Sequence, residues 1–229
     1  MCGRYLLTTP PSDVGAAFDV GVVDNFPPRY NIAPTQPVAA IRRGTTGARE
    51  YTLLRWGFIP SWRKKEEGRP LINARAETVS EKPTFRAAFK RRRCLIPADG
   101  FYEWTGEKAA RMPHYIRPER AGVFAFAGIW ETAMSADGAE VDTVALLTTA
   151  AGPDIKALHH REPVVIAASK FAAWLETDER DIGEVSGLLT HQHKGFWRTT
   201  PVSKRVNSVR NEGPDLILPE QSGDLFAGA

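Results

Sequence analysis

Prolines and glycines, 17 and 19 of them in 229 residues, cut this chain into short pieces. Proline fixes φ and removes a backbone donor, and glycine favours turns, so neither suits the interior of a long helix or central strand. Several of the intervening pieces are rich in β-branched or aromatic residues and read as strands: Val38–Arg42, Tyr51–Arg55, His114–Arg117, Val123–Ile129, Thr143–Thr148 and Val164–Ala167. Helices are fewer. Pro11–Phe18 carries Ser12 as a cap, Thr84–Lys90 follows a proline, Lys170–Leu175 shows apolar spacing of three and four after Ser169, and Asp181–Leu188 is a fourth. Strands that dominate without alternating regularly with helices predict an α+β fold, with a curved, largely antiparallel β-sheet core and a few packed helices. No internal repeat, low-complexity tract or Gly/Ser linker marks a boundary, so 1–229 reads as one domain whose last ten or so residues form a flexible tail.

The composition, 42% hydrophobic and 25% charged, is that of an ordinary globular protein. No run approaches the roughly 18 apolar residues that a membrane span needs. The start MCGRYLLTTPPSD lacks a charged-then-apolar signal, so the expectation is a cytoplasmic protein without membrane association. There is no GxGxxG and no P-loop, hence no expected nucleotide cofactor. The two cysteines, Cys2 and Cys94, form no CxxC pair, which excludes a Cys-rich zinc site. His191-Gln192-His193 lacks a third ligand, so no metal is expected either. Cys94, inside the apolar run CLIPADGF, reads as a small core residue.

The net charge of +3 hides an asymmetry. Residues 55–93 hold twelve basic and four acidic residues, with Trp56, Trp62, Phe85 and Phe89 interleaved. This is either a solvated charged face or a footprint for a polyanion. Cations for phosphates and aromatics for bases are what a single-stranded nucleic acid requires.

Four positions have chemistry of their own. Cys2 follows the initiator and becomes the first residue if Met1 is trimmed, which a small neighbour permits. It then carries an α-amine of pKa about 8 beside a thiol of about 8.5, and the ammonium should lower the thiol value. Such a 1,2-aminothiol traps aldehydes: the amine forms an imine and the thiol closes on it as a thiazolidine. Asn73, in PLINARAE, is either a structural bridge or a donor aimed at a reacting oxygen, and Arg75 shares its face in an extended segment, where it suits a phosphate. Glu103, among Phe101, Tyr102 and Trp104, is either a strand-end carboxylate in water or an acid–base group in a low-polarity pocket. His159 and His160 lead into the apolar strand of Val164–Ala167 and are structural or catalytic.

These residues lie within motifs that occur in a fixed order: MCGRY, RYNIAPTQ at 29–36, LRWGFIPSW at 54–62, INARAET at 72–78, IPADGFYEW at 96–104, HHREPVVI at 159–166 and PVSKRVNSVRNEG at 201–213. Across essentially its whole length the chain resembles the SOS-response-associated-peptidase-like (SRAP) family, the abasic-site processing proteins. The resemblance implies a single SRAP-like domain. It also implies that a mature N-terminal Cys2, exposed by autocatalytic loss of Met1, crosslinks the ring-opened aldehyde of an abasic site in single-stranded DNA as a thiazolidine. By the same resemblance Asn73 holds the amine and the sugar oxygen, Glu103 orients the amine and shuttles its proton, and His159 is the general acid or base. Arg4, Arg75, Arg86 and Arg161 are implied to grip phosphates, Asn31, Pro34 and Thr148 to line the strand's path, and Trp62 to wedge or stack beside the lesion, with Trp56 left to the core. No cofactor is implied, and the protein is expected to act as a monomer. Two positions depart from the family pattern: His160 leaves the histidine assignment to the H-x-R-x-P spacing of His159, Arg161 and Pro163, and Glu162 brings a repulsive charge if it faces the strand. A peptidase acting on other proteins and a non-covalent single-strand-binding module are the competing readings.

Overall fold

The computed structural model describes residues 2–21, 23–63, 71–107, 111–135 and 138–220, apart from the side chain of Glu179. The proposed tail beyond residue 220 and the basic residues Lys64, Lys65 and Arg69 lie outside the described residues. In chain order the strands are β1 (Tyr5–Leu7), β2 (Arg29–Ile32), β3 (Pro37–Arg43), β4 (Arg49–Trp56), β5 (Asn73–Arg75), β6 (Arg93–Ala98), β7 (Gly100–Thr105), β8 (Met112–Pro118), β9 (Phe124–Met134), β10 (Glu140–Ala150), β11 (Arg161–Pro163), β12 (Val165–Ile166) and β13 (Trp197–Pro201). The helices are α1 (Pro11–Phe18), α2 (Arg86–Arg91), α3 (Phe171–Glu176) and α4 (Ile182–Ser186).

β10 organises the larger sheet. Its sequence EVDTVALLTTA is an almost unbroken run of apolar and β-branched residues, and Thr143–Thr149 are all buried, as befits a strand covered on both faces. The sheet runs β11-β10-β4-β3-β6-β9-β12, and β9 also pairs with β10 from Glu140↔Met134 to Leu146↔Gly128. That second pairing closes β10, β4, β3, β6 and β9 into a five-stranded barrel. Among the described residues only the β10–β4 and β10–β5 pairings are parallel. The expected curved, largely antiparallel core is therefore present, and its curvature goes as far as closure.

The second sheet, β13-β8-β7-β1-β2, is antiparallel throughout. Gly100 lets β7 approach β8: a Cβ there would stand 2.3 Å from the Tyr115 ring and 2.7 Å from the Ile116 carbonyl, closer than any side chain tolerates. Tyr5 joins the two sheets, its ring edge-on to Trp56 at 5.4 Å and to Phe126 at 5.9 Å.

Two details differ from the sequence reading. Ser12 does not cap α1. Pro10 holds the N-cap position and its carbonyl accepts from Asp13 and Val14, which puts Ser12 inside the first turn, its hydroxyl on Asp13. Of the five aromatics within the basic stretch, Trp56, Phe58, Phe85 and Phe89 are core residues, and Trp62 alone is exposed. On α2 the charged Arg86, Lys90 and Arg91 are exposed while Ala88 and Phe89 face the core.

Candidate active site

Cys2 is fully buried, with its Sγ 3.9 Å from the carbonyl oxygen of Arg4. The strand after it explains why. Tyr5, Leu6 and Leu7 are all core residues and seat β1 between β2 and β7, drawing the N-terminus inward. On the β7 side Tyr102 donates its N–H to the Arg4 carbonyl at 3.0 Å, and this register carries Glu103 up beside Gly3 and Cys2. Glu103 is only 4% exposed, which places it in the low-polarity pocket and not at a strand end in water.

Asn73 arrives from the barrel. β5 pairs with β10, Asn73 against Leu146, and Trp56 fixes the preceding residue by donating Nε1–H to the Ile72 carbonyl at 2.9 Å. From there Asn73 Nδ2 donates to the Cys2 carbonyl at 2.9 Å. Asn73 Oδ1 is buried and accepts no hydrogen bond from the described residues.

His159 ends a turn in which its own N–H and that of Leu158 donate to the Ile155 carbonyl. His159 Nδ1 lies 3.0 Å from the Arg161 backbone N–H and 3.1 Å from the Arg161 carbonyl, so residue 161 orients the ring whichever nitrogen carries the proton. Burial holds this imidazole below its ordinary value, while the Glu103 carboxylate pulls it the other way. His160 is exposed, its ring 4.3 Å from that of His159. Glu162 does not face outward: it is 1% exposed, and its carboxylate accepts from the N–H groups of Gly152 and Gln192, each at 2.8 Å, pinning the turn that carries His159.

The same Glu103 acts on Cys2. Burial pushes the thiol far above its usual range and Glu103 adds to the rise. With Met1 still attached, loss of hydration outweighs the favourable charge nearby; the lowered thiol is expected of the trimmed chain, in which Cys2 itself carries the free amine. At rest the cluster holds a protonated thiol, a half-buried neutral imidazole and a carboxylate. These are the parts needed to move a proton on demand from sulfur or nitrogen. Cys94 is buried too, with Trp174 donating to its carbonyl at 2.8 Å, the structural role read from the sequence.

Of the residues implied to hold the strand, Arg75 and Arg86 are exposed, and Trp62 presents 62% of its surface. Pro34 is half-buried, at a turn where Thr35, at φ 72°, donates to the Trp56 carbonyl. Arg161 has its guanidinium on both carboxylate oxygens of Glu77, at 2.6 and 2.8 Å, and on the carbonyl and hydroxyl of the buried Thr148. Arg4 donates to Asn31 Oδ1 at 2.7 Å and to the Val206 carbonyl at 2.8 Å, with Trp104 beneath it. Asn31 is wholly buried and its amide donates to the Ser208 and Asn211 carbonyls, fastening the 203–211 segment. Asn31 and Thr148 therefore serve inside the protein, where they hold Arg4 and Arg161 in place. Glu77 was not singled out by sequence reasoning, although it lies within INARAET, two residues past Arg75. Among the described residues no group of three or more His, Cys, Asp or Glu side chains converges as a metal site. None of the helices described is long and apolar enough to cross a membrane.

A family model described as SOS response associated peptidase (SRAP) matches residues 1–209. The abasic site processing protein YoqW of Bacillus subtilis (strain 168) is 35% identical over 222 residues, covering 95% of this chain and 99% of that one. The abasic site processing protein YedK of Escherichia coli (strain K12) is 28% identical over 229 residues, covering 96% and 100%. A solved structure of a protein from Bacteroides thetaiotaomicron superposes with a TM-score of 0.79 at 22% identity, over 96% of this chain and 100% of that one, a likeness of fold.

Proposed function

The chain belongs to the SOS response associated peptidase (SRAP) family, and from that premise we propose that it captures abasic sites in single-stranded DNA covalently through Cys2. The Cys2 thiol first attacks the Met1 carbonyl, the Cys2 amine leaves, and water releases the methionine. A free amine then stands beside a free thiol. The ring-opened abasic sugar offers an aldehyde carbon, to which the amine adds with loss of one water to give an imine. The thiol adds to the imine carbon, its proton passes to nitrogen, and a thiazolidine closes. Closure removes the imine that would otherwise lead to β-elimination, so the strand is shielded and not cut.

In this reading Asn73 keeps the Cys2 backbone in register and turns Oδ1 toward the amine. Glu103 orients the amine and relays its proton. His159, neutral near physiological pH, takes and returns a proton as the sugar opens. Arg75 and Arg86, with Arg4 and Arg161, grip phosphates along a path bordered by Pro34, the buried Asn31 and Thr148 hold Arg4 and Arg161 from inside, and Trp62 stacks beside the displaced lesion. The protein works as a monomer in the cytoplasm, on the nucleoid. The observation that supports the reading best is the 2.9 Å hydrogen bond from Asn73 to the Cys2 carbonyl, with the charge of Glu103 acting on both Cys2 and His159.

Intact-protein mass spectrometry before and after mixing with a single-stranded oligonucleotide bearing one abasic site tests it. The expected record is loss of Met1, then a gain equal to the oligonucleotide less one water. Retained methionine, or no adduct on the trimmed protein, overturns the reading.

A further inference from the structure

A cavity of about 660 Å³ opens away from Cys2, between the turn joining β3 to β4 and the C-terminal ends of α2 and α3. Arg43, Lys90 and Arg91 line it, together with Thr45, Thr46 and Thr177. Arg93 also belongs to the lining but is only 5% exposed. Its guanidinium gives its hydrogen bonds to backbone carbonyls of Phe89, Lys90, Trp174 and Thr177. These carbonyls are the open ends of α2 and α3, which would otherwise lend the cavity the negative end of two helix dipoles. Burial lowers Arg93 to about 10, so it remains a cation at neutral pH and cancels that negative potential.

Asp178 is the one acid among the lining residues, and its Oδ1 accepts from the backbone N–H and Nε of Arg180 at 3.1 and 3.4 Å. The wall opposite is the Gly44–Gly47 turn, closed by Gly44 N–H on the Ala48 carbonyl at 2.7 Å, with Gly47 at φ 86°. A Cβ on Gly47 would lie 3.6 Å from Arg43 Nη2, so that guanidinium lies across the turn. The cavity is connected to the rest of the basic stretch by α2. Arg86 and Lys90, four residues apart on its exposed face, share one stripe, while Ala88 and Phe89 face the core.

We propose that this cavity is a second phosphate site, taking backbone phosphates of the strand that flanks the lesion after it has followed the Arg86–Lys90 face of α2. The proposal rests on the DNA-capture reading for the identity of the strand. The chemistry recognised is a phosphate anion, which a free pyrophosphate group would also offer. Trp130, part of the same lining, carries Arg42 over its ring at 4.3 Å, but Arg42 is paired with Glu50 and Asp142, so the charge offered to a phosphate comes from Arg43, Lys90 and Arg91.

The test compares the full-length protein with its Arg43→Ala/Lys90→Ala variant. Both residues are exposed, and a thermal melt of the variant close to that of the wild type is the control for folding. Undamaged single strands of two lengths are titrated by fluorescence anisotropy across a salt series, and pyrophosphate is titrated separately by calorimetry. The expected result is a roughly tenfold loss of affinity for the long strand only. For two phosphates, at about 0.7 each, the salt slope falls by about 1.4. Equal losses on both lengths, or an unchanged slope, overturn the proposal. Pyrophosphate binding that Arg43→Ala/Lys90→Ala abolishes, with no strand-length effect, also overturns it and makes a free anion the ligand. Adduct formation at an abasic site is scored apart from these arms, so a failure of Cys2 capture is distinguishable from a failure of the second site.

Discussion

The side-chain amide of Asn73 donates to the backbone carbonyl of Cys2 across 2.9 Å, joining residues 71 positions apart in the chain. Cys2 precedes a segment that is anchored from Arg4 onward, by Tyr102 on the Arg4 carbonyl and by the Arg4 guanidinium on Asn31, so this bond sets where Cys2 lies relative to β5 and β10.

Removing it should slow capture without unfolding the protein. A single hydrogen bond contributes about 0.5–1.5 kcal/mol net, and 1.4 kcal/mol is about a tenfold change in rate or affinity. Asn73→Ala is expected to form adduct a few-fold to about tenfold more slowly, with a melting transition close to wild type. Single-turnover adduct kinetics on denaturing gels measure this, and wild-type kinetics would remove Asn73 from the reaction.

Glu103 raises the proton affinity of both His159 and Cys2. Glu103→Gln takes away a negative charge at nearly constant volume, so both groups should then release protons more readily. The His159 imidazole, already below its ordinary value through burial, is expected to titrate lower still by NMR. The Cys2 thiol is expected to alkylate faster at a given alkaline pH than in wild type. Movement of either group in the opposite direction would show that Glu103 does not face it.

The β-branched runs that became β3, β4, β8, β9 and β10 are visible in the sequence because packing on a pleated surface selects such residues. β1, β2, β5, β6, β7, β11 and β13 are not. They are three to six residues long, and Pro97, Pro163 and Pro201 lie within β6, β11 and β13, where proline argues against a strand. Barrel closure depends on β10 pairing with β9 and β4 at once, a tertiary choice that no local pattern encodes. Cys2, Asn73, Glu103 and His159 were legible as a set through their motifs. The grip of Asn31 on Ser208 and Asn211 joins residues 177 and 180 positions apart and left no local sign. Nor did the basic stretch reveal which of its aromatics face inward, since charge count is blind to the face of a helix or turn.

Trp62 and Trp56 lie six residues apart and should respond oppositely. Trp62 is largely exposed and, on the proposed function, stacks on a bound strand, so Trp62→Ala should leave stability within about 0.5 kcal/mol and cost about 1–3 kcal/mol of strand affinity. Trp56 is fully buried and donates to the Ile72 carbonyl, so Trp56→Ala should cost about 3–5 kcal/mol of stability. Paired urea titrations and anisotropy measurements separate the two, and a stability loss at Trp62 like that at Trp56 would place its ring in the core.

Glu77 and Arg161 form a bidentate pair with opposite consequences for stability and for binding. Arg161 holds the Glu77 carboxyl below its ordinary value. A carboxyl depressed in the folded state adds stability that is present above its unfolded pKa of about 4.3 and is lost as pH falls through the folded value. Glu77 is nearly half exposed, so solvent screens the pair and the gain should stay below about 1 kcal/mol. Glu77→Gln should therefore be slightly less stable than wild type at pH 7 and indistinguishable from it in acid, where the wild-type carboxyl is protonated. Strand affinity should move the other way. Without the carboxylate, the Arg161 guanidinium keeps its bonds to Thr148 and is released to a phosphate, which also meets one negative charge fewer. Tighter binding, with a salt slope steeper by about 0.7, is the expected outcome of anisotropy titrations. Weaker binding by Glu77→Gln would mean that the carboxylate positions Arg161 for the strand instead of competing with it.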